Sequence, residues 1–365
     1  MKTKKRVVVA MSGGVDSSLT AALLKQKGYD VIGVTMEIWP VTKEMKEREP
    51  KSCCSLSAVE DARRVANKLG IPYYVINLRD IFEKEVIEYF CEEYACGRTP
   101  NPCIVCNHKI KFSALLDRAL QLDADYIATG HYAKVVYDEK IQRYLLKKAD
   151  DPLKDQSYSL YGLTQEQLKH IIFPLGEYKK TETRKLAQEL GLLVANKPDS
   201  QEICFITDND YKRFLRERIP DKIIPGPIID EKGKILGFHE GIPFYTIGQR
   251  KGLGLANPQP VYVTEIDPER NAIVVGSNTS VYGLGLVAEK TNYIPFDKLE
   301  RPMEVTAKIR YGAKEEEAEI YPLPDNRVRV YFKNPVRAIT PGQAVVFYNG
   351  DVVVGGGTIK KKISF

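Results

Sequence analysis

Nothing in this 365-residue chain is long and apolar enough to read as a membrane span. The apolar run behind Lys4-Lys5-Arg6, residues 7–11, is far too short for the core of an export signal. Both absences point to the cytoplasm. No internal repeat and no low-complexity tract is present, which sets aside repeat architectures. A strong charge of one sign is missing too: 54 basic against 48 acidic side chains leave a formal +6. That balance permits a nucleic-acid partner without demanding one. The basic stretches at residues 2–6 and 360–362 are short and read as solvated ends. Seven cysteines without an export signal argue for thiols kept for chemistry or metal rather than a disulfide framework. Cys53-Cys54 and Cys91…Cys96 nevertheless lack metal-ligand spacing with a matching second pair, and read as structural.

What is present describes an ordinary globular chain, 43% hydrophobic and 28% charged, long enough for two or three domains. The first half alternates strand and helix signals. Strands are expected at residues 7–11, 31–36, 73–78 and 126–129. Helices are expected at 19–27, at 57–69 with a Ser57…Glu60 capping box, at 81–94 and at 112–121. Such alternation predicts an α/β fold, a mostly parallel sheet with helices on both faces. Around Cys204 the pattern changes. A short helix at 209–218 gives way to Pro220, Pro225, Gly226 and Pro227. Short strands follow at 261–266, 272–276, 305–309, 327–332 and 345–348, the signature of small β modules that include a barrel. The expected division is 1–206 for a catalytic domain, 207–275 for a small central domain and 276–365 for a C-terminal β-barrel.

Two foci carry chemistry. Residues 12–18 read Ser-Gly-Gly-Val-Asp-Ser-Ser between the first strand and its helix. Gly13 and Gly14 let the backbone approach a ligand, and the first-turn N–H groups of the helix favour an anion. Ser12, Ser17 and Ser18 add hydroxyls, and Asp16 is placed to hold a cation against phosphate oxygens. A plain helix start with N-cap residues is the bland alternative. The segment is neither the dinucleotide fingerprint nor a Lys-containing Walker loop. The second focus is Thr99-Pro100-Asn101-Pro102-Cys103-Ile104-Val105-Cys106-Asn107. Two prolines there suggest a rigid extended approach, with Cys106 just before a helix and followed by His108, Lys109 and Lys111. That setting would depress a thiol pKa. Cys204 lies in a polar turn that runs into an apolar tripeptide, and taken alone reads as core. His131 reads as a hydrogen-bonded edge histidine, and residues 154–158 are as readily a solvated loop as a binding one.

The heptad resembles the pyrophosphate loop of the ATP pyrophosphatases, which cleave ATP to AMP and pyrophosphate. The ordered set of residues 12–18, 99–107, 128–132, 154–158, 191–205, 248–254 and 340–343 resembles the bacterial tRNA-specific 2-thiouridylase family, over essentially the whole chain. The resemblance implies a Rossmann-like N-terminal domain, then a small central domain and a β-barrel. It also implies adenylation of the C2 oxygen of a wobble uridine, followed by sulfur transfer. By similarity Ala10, Met11, Ser12, Gly13, Gly14, Val15, Asp16, Ser17, Met36 and Gly130 contact ATP, with Mg2+ as its companion ion. Cys106 matches the nucleophile and Cys204 the persulfide carrier, while Asn101, Pro102 and Cys103 line the target base. His131, Lys154, Asp155, Gln156, Arg310, Tyr311 and Gln343 match tRNA contacts. Implied partners are tRNAs for Lys, Glu and Gln, and a sulfur-relay protein or cysteine desulfurase; no membrane is implied. Many members carry Asp where this chain has Cys103, so a four-iron four-sulfur cluster on Cys103, Cys106 and Cys204 stays open beside the persulfide route. An ATP-dependent amidating synthetase shares the loop and is a further alternative.

Overall fold

A computed structural model describes residues 4–38, 56–199, 203–256 and 259–363. Cys53 and Cys54 lie outside them. The chain folds as two compact units, each discontinuous in sequence. The first comprises Met1–Val86, Cys103–Asn209 and Asp351–Val353. Its strands are β1 (Arg6–Ala10), β2 (Asp30–Glu37), β3 (Tyr73–Asn77), β4 (Tyr126–Ala128), the antiparallel hairpin β5 (Lys134–Asp138) and β6 (Arg143–Lys147), and β7 (Ile171–Ile172). A parallel sheet runs in the order β3-β2-β1-β4-β7. The β-branched run Val7-Val8-Val9 makes β1 the central strand. Val7 and Val9 share an apolar cluster with Leu19 and Leu23, with Val65 and Ala66, and with Ala187. These come from the helices Val15–Gln26, Leu56–Leu69 and Lys180–Glu189. Val8, 1% exposed, faces the opposite side by strand alternation, so the sheet is covered on both faces. The chain leaves β1 first toward β2 and later returns beside it as β4. That reversal is the switch point at which open α/β sheets bind ligands.

Several boundaries move from those expected. The first helix begins at Val15, inside the Ser-Gly-Gly-Val-Asp-Ser-Ser segment, so Asp16 and Ser17 lie in its first turn. Ser57 is the second residue of Leu56–Leu69 and so is not its cap. Residues 79–95 are helical throughout, with a π-helical stretch Glu83–Glu88. The helix expected from 112 instead starts ten residues earlier: Pro102–Val105, a π-helical Cys106–Ala114 and Leu115–Gln121 run without a break. Pro102 occupies the first helical position, where a missing N–H costs nothing. Cys106 therefore lies within the helix rather than ahead of it.

The second unit comprises Ile87–Pro102, Asp210–Gly350 and Val354–Phe365. Tyr94 stacks on Tyr211 with centroids 5.5 Å apart, and Phe90 meets Phe214 edge-on at 6.1 Å. Cys91 is buried on this helix and Cys96 is exposed. Strands β8 (Gly226–Asp230), β9 (Ile235–His239), β10 (Tyr262–Asp267) and β11 (Ala272–Gly276) form a sheet in the order β10-β11-β8-β9. Strands β12 (Tyr282–Tyr293), β13 (Met303–Lys308), β14 (Glu316–Leu323), β15 (Arg327–Arg337), β16 (Ala344–Asn349) and β17 (Val352–Ile363) follow in the order β12-β15-β14-β13-β16-β17. Pairing of β17 with β12 closes these six into the barrel the sequence suggests. Its interior holds Leu286, Ile320, Val330, Val345 and Phe347.

Candidate nucleotide and thiol site

Residues 11–14 leave the carboxyl end of β1 at the switch point. Met11 is pinned to β2, its N–H on the Val34 carbonyl at 2.8 Å and its carbonyl accepting the Thr35 hydroxyl at 2.6 Å. Gly13 has φ +67, and a Cβ there would fall 2.2 Å from the Ala58 carbonyl oxygen, so no other residue fits. Ser17 Oγ accepts the Ser12 N–H at 3.1 Å and donates to the Gly14 carbonyl at 3.3 Å. The loop is thus closed on itself while Ser12 stays exposed. Val15 is buried in the apolar cluster and anchors the helix start. Ala10 ends β1, and half-buried Met36 lies near the matching end of β2. Gly130, just past β4, completes the edge: a Cβ there would lie 2.8 Å from the Asp16 carbonyl carbon and the Ser17 nitrogen. The expected nucleotide residues therefore converge in the first unit, around a helix N-terminus suited to phosphate.

Asp16, which the sequence places to hold a cation, is met here by a cation of the chain itself. Both of its carboxylate oxygens accept from Lys180 Nζ at 2.7 Å, and Oδ1 also accepts the Tyr132 hydroxyl at 2.8 Å. Burial, then the Asp16 charge, push the Tyr132 phenol far above its usual pKa, so it remains a donor. Lys180 also reaches Asp199 Oδ1 at 2.9 Å, and Asp199 is bound by Lys154 and Arg184 at 2.8 Å each. Burial alone would raise the Asp199 pKa; hydrogen bonds from Lys154 and Lys180 outweigh it and hold the value at about 2. Lys197 Nζ contacts the Gly13 carbonyl at 3.1 Å and Asp61 at 2.8 Å. Residues 197–199, the approach to Cys204, are therefore tied to the phosphate loop. Residues 200–202 lie outside the described ones. Tyr132 and Asp199 fall in segments the sequence marks. Lys180, 164 positions from Asp16, carries no local signal.

Cys103, Cys106 and Cys204 belong to the same unit. Cys103 is exposed in the first helical turn; Cys106 and Cys204 are half-buried. Phe205, next to Cys204, packs edge-on against Phe82 at 5.9 Å. The short helix ending at Phe82 packs in turn against the π-helical stretch that Cys106 opens. Asn107 is buried, donating to Ser159 and accepting from Lys111 at 2.9 Å. Among the described residues no three His, Cys, Asp or Glu side chains are placed to share a metal ion. Cys103, Cys106 and Cys204 thus do not form the three-thiol ligand set of the cluster alternative. Asp16 with the Ser12 and Ser17 hydroxyls suits magnesium, which takes one or two carboxylates together with substrate phosphates.

The residues matched to tRNA contacts separate into different roles. His131 is buried, its Nδ1 2.6 Å from Thr129 Oγ1 and its ring 5.8 Å from those of Phe112 and Phe173. Burial, aided by the Lys111 charge, holds its pKa well below the usual value, so the ring is neutral. This is a core placement, not a surface one. Asp155 accepts from the Ala149 N–H at 3.0 Å and the Ser157 hydroxyl at 2.7 Å, and Gln156 Oε1 accepts the Tyr132 N–H at 3.0 Å. Both shape the loop; Lys154 reaches outward as far as Asp199. In the second unit Tyr311 is exposed beside half-buried Arg310, with Lys308 Nζ 5.9 Å from the Tyr311 ring. Gln343 Nε2 donates to the Thr99 and Pro100 carbonyls at 2.9 and 3.2 Å, and Thr99 N–H donates to the Pro341 carbonyl at 2.9 Å. Thr99 Oγ1 also meets Thr246 Oγ1 at 3.2 Å. Pro341, Gln343 and Thr246 therefore clamp the stretch leading into Asn101 and Pro102.

Residues 5–208 match the family described as tRNA methyl transferase HUP domain, residues 212–277 its PRC-barrel domain and residues 284–359 an aminomethyltransferase beta-barrel domain. The chain is 61% identical over 363 residues to tRNA-specific 2-thiouridylase MnmA 1 of Thermoanaerobacter sp., covering 100% of each chain. It is 60% identical over 358 residues to tRNA-specific 2-thiouridylase MnmA of Acetivibrio thermocellus, covering 98% of this chain and 100% of that one. Against the MnmA protein of Desulforamulus reducens it is 57% identical, covering 100% and 99%.

Proposed function

The chain belongs to the tRNA-specific 2-thiouridylase family, and we propose that it uses ATP to replace the C2 oxygen of a wobble uridine in tRNA with sulfur. That oxygen is a poor leaving group. Its attack on the α-phosphorus forms a new P–O bond, breaks the bond to the β-phosphate and releases pyrophosphate, which the loop at residues 12–17 would receive. The Cys106 thiolate then attacks the inner sulfur of a persulfide on Cys204, releasing hydrosulfide and leaving a Cys106–Cys204 disulfide. Hydrosulfide adds at C2, AMP departs with the oxygen, and a cellular thiol reduces the disulfide. Magnesium, bound with the nucleotide through Asp16, would screen charge on the reacting phosphate oxygens.

The reading is supported by one observation above all. Lys197 and Asp199 tie the approach to Cys204 onto the phosphate loop, while Phe205 packs on the helix beside Cys106. Methyl transfer, the word in the matched family's description, gives no work to such a loop or to two thiols, and an amidating synthetase leaves the thiols idle. Arg310 and Tyr311 are the proposed tRNA contacts of the second unit. A sulfur-relay protein or cysteine desulfurase loads Cys204, in the cytoplasm; among the described residues no helix is long and apolar enough to cross a membrane.

The test is pyrophosphate release and 2-thiouridine formation on uridine-34 tRNA supplied with ATP and a persulfide donor. Cys106→Ala and Cys204→Ala should each abolish thiolation while tRNA-dependent pyrophosphate release survives. Cys103→Ala should retain thiolation. Full thiolation by either of the first two variants removes the relay, and pyrophosphate release without tRNA removes the acceptor.

A further inference from the structure

Asp16 already has a cation on it, and that cation is part of the chain. Lys180 Nζ bridges both Asp16 oxygens at 2.7 Å and touches Asp199 at 2.9 Å. Its side chain is 10% exposed, against 29% for Asp16 and 22% for Asp199. The backbone of Lys180 is fixed, its N–H on Asp151 Oδ2 at 2.9 Å at the start of the helix Lys180–Glu189. Only the flexible stem can move. Two carboxylates thus share one ammonium, and the second of them is held independently by Lys154 and Arg184. Tyr132 would stay on Asp16 whichever way the ammonium turned, since Thr183 Oγ1 also holds its hydroxyl at 2.9 Å.

We propose that Lys180 is the resident counter-ion of Asp16, a positioning residue that keeps the phosphate-loop carboxylate closed until a magnesium nucleotide displaces it onto Asp199. Without the ammonium, Asp16 would keep only the Tyr132 hydroxyl and no cation, an arrangement that takes up a proton or a cation, whereas Asp199 would keep Lys154 and Arg184. With it, Asp16 does not bind a stray metal ion tightly. The exchange leaves charge balanced: magnesium and phosphate arrive together, and Lys180 keeps a carboxylate partner throughout. The proposal rests on the loop's being a nucleotide site, but not on the identity of the acceptor.

Manganese titrated into the nucleotide-free full-length protein and followed by electron paramagnetic resonance reads the device directly. Lys180→Met should bind manganese about ten-fold more tightly than wild type, and adding Asp16→Asn should remove the gain. Lys180→Arg, which keeps the charge, should match wild type. Asp199→Asn removes the ammonium's second seat and should weaken magnesium-ATP binding about ten-fold. A Lys180→Met protein with native circular dichroism and wild-type manganese affinity overturns the proposal. Unchanged magnesium-ATP affinity in Asp199→Asn overturns it independently. Neither readout involves tRNA, so a protein that behaves as expected here yet never thiolates uridine counts against the proposed function alone.

Discussion

Two glycines around the phosphate loop look alike in sequence but have different reasons to be glycine. A Cβ on Gly130 would press on backbone atoms of Asp16 and Ser17 at 2.8 Å, whereas one on Gly14 would meet nothing nearer than Ser12 Oγ at 3.5 Å. Gly130→Ala should therefore cost stability, about 1–3 kcal/mol by the usual scale of overpacking, read by denaturant unfolding. Gly14→Ala should unfold like wild type but lose ATP binding by calorimetry, because its missing side chain leaves room for the ligand rather than for a neighbour. Equal stability losses in the two variants would refute that division. His131 makes a different kind of prediction. Its burial keeps the folded imidazole neutral well below the ordinary range, while the unfolded chain takes a proton near pH 6.5. The folded pKa is depressed, so the contribution is intact above about pH 6.5 and is lost as pH falls below it, by up to about 1.4 kcal/mol per unit. Unfolding measured from pH 7 to 5 should show this fall, and His131→Phe, which keeps the ring packing, should make it shallower, the remainder coming from His108 and His239, whose burial also lowers their pKa values.

Elements were legible where local chemistry and burial agree. The run Val7-Val8-Val9 reads as a strand because β-branched residues suit a strand covered on both faces, and Gly28 with φ +85 stops the first helix where expected. The helix through Cys106 was misplaced because Pro100 and Pro102 look like loop residues; Pro102 instead starts the helix, and nothing in its own sequence says so. Hairpin β5–β6 escaped because Lys134, Arg143 and Lys147 break the apolar alternation on a half-exposed ribbon. The candidate site divides in the same way. Residues 12–17, Gly130 and the two thiols were visible as motifs, whereas Lys180 reaches Asp16 only through the packing of its helix on the first one. The resemblance gives Gln343 as a tRNA contact, and in the fold its amide is spent on the Thr99 and Pro100 carbonyls, a role that no linear pattern states.

At the scale of the whole molecule, a formal +6 from 54 bases and 48 acids means that RNA affinity cannot come from a broad positive field. Many surface cations are already neutralised in pairs such as Arg213–Glu217, Arg216–Glu240 and Lys333–Glu317, and neutral, buried His131 adds none. Few phosphates are then neutralised on binding, so the plot of log affinity for tRNA against log salt should be shallow, with a slope of magnitude about 3 or less. Arg310→Ala should reduce that magnitude by about one, as expected for a lost phosphate contact. Gln343→Ala removes no charge and should leave the slope unchanged while lowering thiolation turnover, because Thr99 and Pro100 lose the clamp that fixes the approach to Pro102. Filter binding from 50 to 200 mM salt on the three proteins separates the roles. A slope unchanged in Arg310→Ala takes that residue out of the RNA contacts, and a slope reduced in Gln343→Ala means that its amide orders a charged contact rather than the segment before Pro102.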